Sequence, residues 1–174
     1  MRLRRALRKL RRLSWSERAL ALEALAWLGA MRLAIRLVPF RRIVGWMRLE
    51  PGETPVPMVA EAPAQVTTET TAQTTTETAT QVAAERVGWA VRAVAARTPW
   101  ESACLVQALA AARMLQARRL ASTLYLGAAR KPGRPAQLYA HAWLRCGGLV
   151  LTGESESHHF PVLTSFRALP RTRA

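Results

Sequence analysis

Two residues of the sequence have the chemistry of a nucleophile and a base for acyl transfer. Cys104 lies in TPWESACLVQ (98–107), and His141 lies in YAHAW (139–143). A cysteine thiolate attacks a carbonyl carbon, and an imidazole within hydrogen-bond reach takes up the proton and returns it. The competing interpretation is structural: Cys104 as a small apolar side chain in a helix, and His141 as an ordinary strand residue.

The beginning of a helix would favour the ionised form of Cys104. Pro99 and Ser102 are typical of helix N-termini, and Ser102 is the predicted cap, so Cys104 falls in the first turn. The apolar run that follows continues the helix toward Leu120. Free amides and the positive dipole end favour a thiolate there, and the same amides are candidates to hold a developing oxyanion.

His141 lies in a predicted strand, LYAHAWLRC (138–146), on the face opposite the small apolar residues. Cys146 is on the small apolar face, which predicts a buried thiol. Gly147-Gly148 predicts a tight turn into a further strand, LVLTG (149–153).

The register of this hairpin supplies a candidate acid. If the two glycines form the whole turn, Glu154 faces His141 and can fix the imidazole tautomer. A one-residue bulge after Gly153 would bring Thr152 or Glu156 to that position instead.

The remaining elements predict an α+β fold with an antiparallel sheet. A helical pattern begins at about residue 81 and ends before Thr98-Pro99. The Cys104 helix follows it, and then come the strands, the first of them at 122–130. Residues 1–50 predict a basic helical hairpin: one helix at 2–13, and a second that begins at Ser14 with Glu17 as its capping-box partner.

Between these regions, residues 51–80 are rich in Pro, Thr, Glu, Ala and Gln and lack an apolar period, which predicts a flexible linker. The predicted organisation is therefore a helical region at 1–50, a linker at 51–80 and a catalytic domain at 81–174.

Charge and composition narrow the functional classes. The net charge is +15: residues 1–50 and residues 86–174 each carry 13 Lys or Arg against three Glu, and residues 51–85 carry five Glu and no basic residue. The chain contains no Asp or Asn, which weakens any metal site, so we expect no metal and no cofactor. Two cysteines and no clear signal peptide favour a reducing, cytoplasmic location.

The basic charge is also compatible with a protein that binds nucleic acid or a membrane surface and catalyses no reaction. A module for nucleic acid would need a recognised motif or an aromatic stacking platform, and the sequence shows neither, so we expect no nucleic-acid partner. Contact of the basic N-terminal helices with a membrane surface stays possible, although core packing is the commoner role of such helices.

Several segments together resemble the transglutaminase-like leader peptidases of lasso-peptide biosynthesis. They are PWESACLVQALAAARMLQARRL, LYLGAAR and AHAWLRCGGLVLTGESE, with an N-terminal helical run like that of stand-alone members. The resemblance covers about residues 2–50 and 84–166. It implies a papain/transglutaminase-type fold and a Cys-His-acid protease, with Cys104 as the nucleophile and His141 as the base.

The resemblance also implies a reaction and its partners. Such peptidases remove the leader from a ribosomally made precursor peptide, and a separate cyclase then closes the macrolactam ring. Because residues 1–50 do not resemble the leader-recognition domain of fused members, a separate leader-binding protein is implied. The family's third catalytic residue is typically an Asp, so Glu154 is its substitute here, unless a backbone or polar group completes a Cys-His dyad. The alternative is a helper on the same fold that binds the precursor without cutting it.

Overall fold

The computed structural model describes residues 14–52, 71–100, 102–131, 134–157 and 159–170. The helices are α1 (Trp15–Leu37), α2 (Phe40–Trp46), α3 (Thr71–Ala95), α4 (Cys104–Ala117) and α5 (Glu154–Ser157). The strands are β1 (Leu49–Pro51), β2 (Ser122–Lys131), β3 (Arg134–Cys146), β4 (Leu149–Thr152) and β5 (Val162–Ala168). The predicted helix at 2–13 lies outside the described residues.

The strands form an antiparallel sheet in the order β1-β5-β2-β3-β4. Its inner face carries Leu124, Ala142 and Leu144, which share one buried cluster with residues of α1, α3 and α4. This arrangement confirms the predicted α+β class with an antiparallel sheet. Strands β1 and β5 were not part of the sequence prediction.

Helix α4 lies at the centre of the core because its side chains are small and apolar. Ala108, Ala110, Ala111 and Ala112 are fully buried, so neighbouring elements pack around nearly all of the helix. Near its end the buried Gln116 amide donates to the Met47 carbonyl oxygen at 2.8 Å. This hydrogen bond satisfies a polar group that would otherwise be costly to bury.

Helix α1 begins as the sequence predicts. Ser14 is the N-cap, its hydroxyl accepts from the Glu17 amide, and the Glu17 carboxylate accepts from the Ser14 amide at 2.7 Å. The bonds from Ser14 lower the pKa of Glu17, since they favour the ionised carboxylate. The capping box is therefore confirmed.

Helix α3 corrects the predicted end of the linker. The helix begins at Thr71, about ten residues before the helix start that the sequence predicts near residue 81. Its buried face, with Val87 and Val91, lies in the second half of the helix. The first half of the helix is polar. It is helical because a helix that is already held by packing of its second half extends at little cost. Residues 53–70 of the predicted linker lie outside the described residues.

None of the described helices is both long enough and apolar enough to cross a membrane.

Candidate active site

Cys104 is the first residue of α4, which confirms its predicted place in the first helical turn. The cap is Ala103 and not Ser102, and it makes no side-chain hydrogen bond. The Ser102 hydroxyl lies 3.1 Å from the Thr98 hydroxyl instead, and the Ser102 carbonyl accepts from the side-chain amide of Gln107 at 2.8 Å. The prediction of Ser102 as the cap was wrong because this side chain is used in the loop before the helix.

That loop holds the start of α4 in place. The Thr98 hydroxyl is within hydrogen-bond distance of the Ala95 and Trp100 carbonyl oxygens, at 2.9 and 3.1 Å. Trp100 is half-buried, and its indole Nε1 is enclosed without a partner among the described residues. The hydrogen bonds of Thr98 therefore fix the backbone of this segment shortly before the cysteine.

The two cysteines have different surroundings, and both are free thiols. Cys104 is half-buried at the helix start, where it packs against the core cluster. Cys146 is buried at the end of β3, and its thiol donates to the Ala121 carbonyl oxygen at 3.2 Å. Burial raises the pKa of Cys146. The prediction that Cys146 is a buried apolar residue is confirmed.

A hydrogen bond and two neighbouring aromatic rings hold His141 in the middle of β3. Its Nε2 lies 2.9 Å from the Gly153 carbonyl oxygen. The ring centroids of Trp143 and Phe160 are 5.9 and 5.1 Å from the imidazole, with interplanar angles of 20° and 29°. Only 8% of the His141 surface is exposed. The imidazole thus has a fixed position beneath an aromatic cover.

The hydrogen bond to Gly153 determines the imidazole tautomer. A carbonyl oxygen only accepts hydrogen bonds, so Nε2 must carry the proton that it receives. In the neutral imidazole Nδ1 is then the basic nitrogen. The Gly153 carbonyl therefore orients the imidazole, a role for which the sequence predicted the Glu154 carboxylate.

The predicted hairpin register was wrong beyond its first two pairs. Cys146 pairs with Leu149 and Arg145 with Val150, as expected, but Leu144 then pairs with Thr152. Leu151 is therefore bulged out of the pairing.

Contacts with α3 explain this bulge. The Leu151 carbonyl accepts a hydrogen bond from the Arg92 guanidinium, a partner that lies outside the sheet. Gly88 allows the close approach, since a Cβ there would lie 3.1 Å from the same carbonyl oxygen. Tertiary packing thus overrides the regular two-residue hairpin.

The slip removes the argument that placed Glu154 opposite His141. Strand β4 ends at Thr152, and Glu154 is the exposed first residue of α5. Thr152, one of the alternatives, is fully buried, and its hydroxyl has no partner among the described residues. The side chain of Glu156 lies outside the description. The residue at the imidazole is Gly153, which sequence reasoning had considered only as the position of a bulge.

Cys104 and His141 are carried by elements that pack against each other. The thiol lies on the inner, helix-covered side, whereas His141 shares the outer face of β3 with Trp143. Within the described ranges no hydrogen bond joins the two side chains. Because β4 stops opposite Leu144, however, the edge of β3 next to His141 has no β4 partner. The structure thus packs the two elements together, with the two side chains on opposite faces of β3 and the Gly153 turn at the edge beside His141.

The family model of the transglutaminase-like superfamily matches residues 54–165 of the chain. The match covers more than half of the sequence and includes Cys104 and His141, so the chain belongs to this superfamily. Searches of curated proteins and of solved structures found no significant match.

Membership indicates the activities that are common in this superfamily. The superfamily has a cysteine-protease-like fold, and its members are commonly cysteine peptidases or transferases. Among the described residues no group of three His, Cys, Asp or Glu side chains could hold a metal ion.

Proposed function

We propose that the protein is a cysteine peptidase that removes the leader peptide from a ribosomally synthesised lasso-peptide precursor, before a separate cyclase closes the macrolactam. The observation that carries the proposal is Cys104 as the first residue of a helix that packs on the strand of an oriented His141, inside the superfamily match. The assignment to lasso-peptide precursors rests on the sequence segments that resemble the leader peptidases of that pathway.

The reaction is acyl transfer through a thioester. The Cys104 thiolate attacks the carbonyl carbon of the scissile peptide bond, and the proposed oxyanion donors are the first amides of α4. His141 gives the proton it received from the thiol to the departing amine. It then takes a proton from water, which attacks the thioester and releases the leader acid and the free thiol.

We propose the Gly153 carbonyl as the group that orients His141, in place of Glu154. A carbonyl that accepts from Nε2–H fixes the ring and stabilises the imidazolium that forms during catalysis. The pair would then be a Cys-His dyad supported by backbone. Substitution of Glu154 by Gln tests this directly: cleavage should stay within about threefold of the original rate, since the side chain is exposed. A loss of roughly a hundredfold or more would return the catalytic role to Glu154.

The thiol and the imidazole must come within hydrogen-bond reach for this chemistry. Strand β4 makes no pair with β3 beside His141, where the Gly153 turn packs instead, so the approach requires movement of this turn or of the two side chains. In free enzymes catalytic hydrogen bonds are often longer than in the complex with substrate. Binding of the precursor is the step that we expect to complete the dyad.

The proposal of separate partner proteins is supported by the structural role of the N-terminal region. Helix α1 and strand β1 pack into the same core and sheet as the catalytic elements, which supports a structural role for the described part of this region. We therefore propose that a separate leader-binding protein presents the precursor, and that a cyclase consumes the product.

The test is cleavage of a precursor peptide followed by mass spectrometry, in the presence of the leader-binding protein. The intact chain should release leader and core at one junction, and the Cys104→Ala variant should leave the precursor uncut. Full cleavage by that variant would instead identify a helper without catalytic function. No cleavage by the intact chain under these conditions would make the peptidase proposal wrong.

A further inference from the structure

A second site lies on the outer face of the sheet, at the end of β3 that is remote from His141. It is a cavity of about 270 Å³, and its lining includes Thr123, Tyr125, Arg145 and Arg167. No Glu is among the described residues that line it. Its described wall therefore carries two cationic side chains and no carboxylate.

The sheet register builds this cavity around one row of residues. Thr123 of β2 pairs with Arg145 of β3 on one side and with Arg167 of β5 on the other. Directly paired residues project to the same face, and the two outer strands are about 10 Å apart. Two long cationic side chains thus flank a single threonine and can reach one ligand above it.

Polar groups complete the wall. The side chains of Thr123 and Tyr125 lie two residues apart on β2 and therefore project to this same face. The half-buried Tyr125 ring stacks on Trp143, with centroids 5.6 Å apart and an interplanar angle of 10°, which fixes one side of the cavity. A site with two guanidinium groups and fixed polar neighbours is suited to an anion.

We propose that this cavity binds a carboxylate of the peptide substrate. Guanidinium groups match the planar carboxylate with two parallel hydrogen bonds, and convergence of two such groups raises the local positive potential. A peptide is the favoured source because the cavity shares its face and its strand with His141. This step of the inference rests on the proposed peptidase function.

The register also predicts where the acidic residue lies in the substrate. Arg145 and His141 are four residues apart on β3, which is about 13 Å in an extended strand. An extended substrate has nearly the same rise per residue. An Asp or Glu about four residues from the cleaved bond would therefore reach the cavity while the bond lies at His141.

Binding can be measured without cleavage, in the full-length chain with Cys104→Ala. The probes are acetyl-Glu-Glu-Glu-amide, the corresponding Gln peptide and inorganic phosphate, titrated by calorimetry. The Glu peptide should bind, and the Gln peptide should bind at least roughly tenfold more weakly, since it lacks charge-assisted hydrogen bonds. Equal binding of both peptides would overturn the proposal.

Two substitutions test the cavity residues and one serves as a matched control. Arg145→Gln and Arg167→Gln should each weaken binding of the Glu peptide, by roughly tenfold at the half-buried Arg145 and by less at the exposed Arg167. Arg130→Gln removes the same charge from an exposed position of β2 outside the cavity and should change binding by less than about twofold. Thermal unfolding shows whether each variant is folded. If Arg145→Gln does not fold, Arg167→Gln still tests the cavity.

Equal weakening by Arg130→Gln would mean general attraction to a basic protein and would contradict the assignment. Loss of phosphate binding alone, with peptide binding unchanged, would overturn the peptide carboxylate as the ligand. In the cleavage assay Arg145→Gln should raise KM for a precursor with an acidic residue at that spacing and leave kcat nearly unchanged. If no chain cleaves the precursor but the peptide titrations succeed, the peptidase function fails and the anion site stands.

Discussion

The regions around Cys104 and Cys146 show how one residue type acquires two kinds of chemistry. Cys104 begins a helix and is partly accessible. Cys146 ends a strand, is 7% exposed, and its thiol donates to a carbonyl oxygen. The first setting offers amide donors and access to a substrate, whereas the second holds a neutral thiol in an apolar core. Position at the end of an element, more than residue type, separates the reactive cysteine from the structural one.

The largest expected effect is on catalysis. Cys104→Ala should lower kcat/KM for precursor cleavage by about 10³-fold or more, because the nucleophile is lost. Cys146→Ala should leave kcat/KM within about threefold, because that thiol lies away from the reacting atoms. Steady-state kinetics with the leader-binding protein measure both. Similar losses of kcat/KM in the two variants would contradict the distinction between a catalytic Cys104 and a structural Cys146.

The second prediction compares the two ends of the β3–β4 hairpin. Gly153 has φ +74°, and a Cβ there would lie 2.6 Å from the Ala142 carbonyl oxygen and 2.9 Å from His141 Nε2. Gly153→Ala should therefore lower the free energy of unfolding by about 2–4 kcal/mol and displace the imidazole.

Gly148 is the matched control, since a Cβ there meets nothing within 4 Å. Gly148→Ala should change the free energy of unfolding by less than about 0.5 kcal/mol. Denaturant unfolding gives both values. A Gly153→Ala variant as stable as the Gly148→Ala variant would show that the turn beside His141 is not constrained.

The third prediction concerns reactivity toward iodoacetamide. At pH 8 Cys104 should be alkylated at least roughly tenfold faster than Cys146, because Cys146 is buried and its pKa is raised. As the pH rises toward the raised pKa, Cys146 gains thiolate and the ratio should fall. In denaturant the two rates should converge. Peptide mapping at timed intervals resolves the two sites, and faster labelling of Cys146 in the folded chain would contradict the structure.

The smallest expected effect is on stability. Cys146→Ala should lower the free energy of unfolding by about 1 kcal/mol, through a small cavity and an unpaired Ala121 carbonyl. Cys104→Ala should lower it by less, since that side chain is only half-buried. Thermal or denaturant unfolding of the two variants makes the comparison. The reverse order would identify Cys104 as the structural cysteine.

What could be predicted from the sequence is what local patterns determine. Helical periodicity and the Ser14–Glu17 capping box identified α1, and strand alternation with the Gly147-Gly148 turn identified β3 and β4. The first-turn position of Cys104 followed in the same way, because Pro99 and the apolar run mark a helix start.

Non-local contacts decided the rest. Strand β1 has three residues and ends in Pro51, so it shows no period, and it exists because it pairs with β5 more than a hundred residues later. The bulge at Leu151 depends on the Arg92 guanidinium of α3, which no hairpin rule contains. Because of this bulge, the group that lies beside His141 is the Gly153 carbonyl and not the predicted Glu154 side chain.

The packing of the N-terminal elements determines the smallest piece of this chain that can fold alone. The superfamily match begins at residue 54, but buried side chains of the shared core extend back to Leu20 and include Leu28, Met31, Ile43 and Leu49. Each such side chain contributes about 1.5–3 kcal/mol when it is buried, and a typical domain has a net stability of only about 5–15 kcal/mol. The matched segment is therefore not an autonomous folding unit, and the catalytic elements depend on a scaffold that precedes them in the chain.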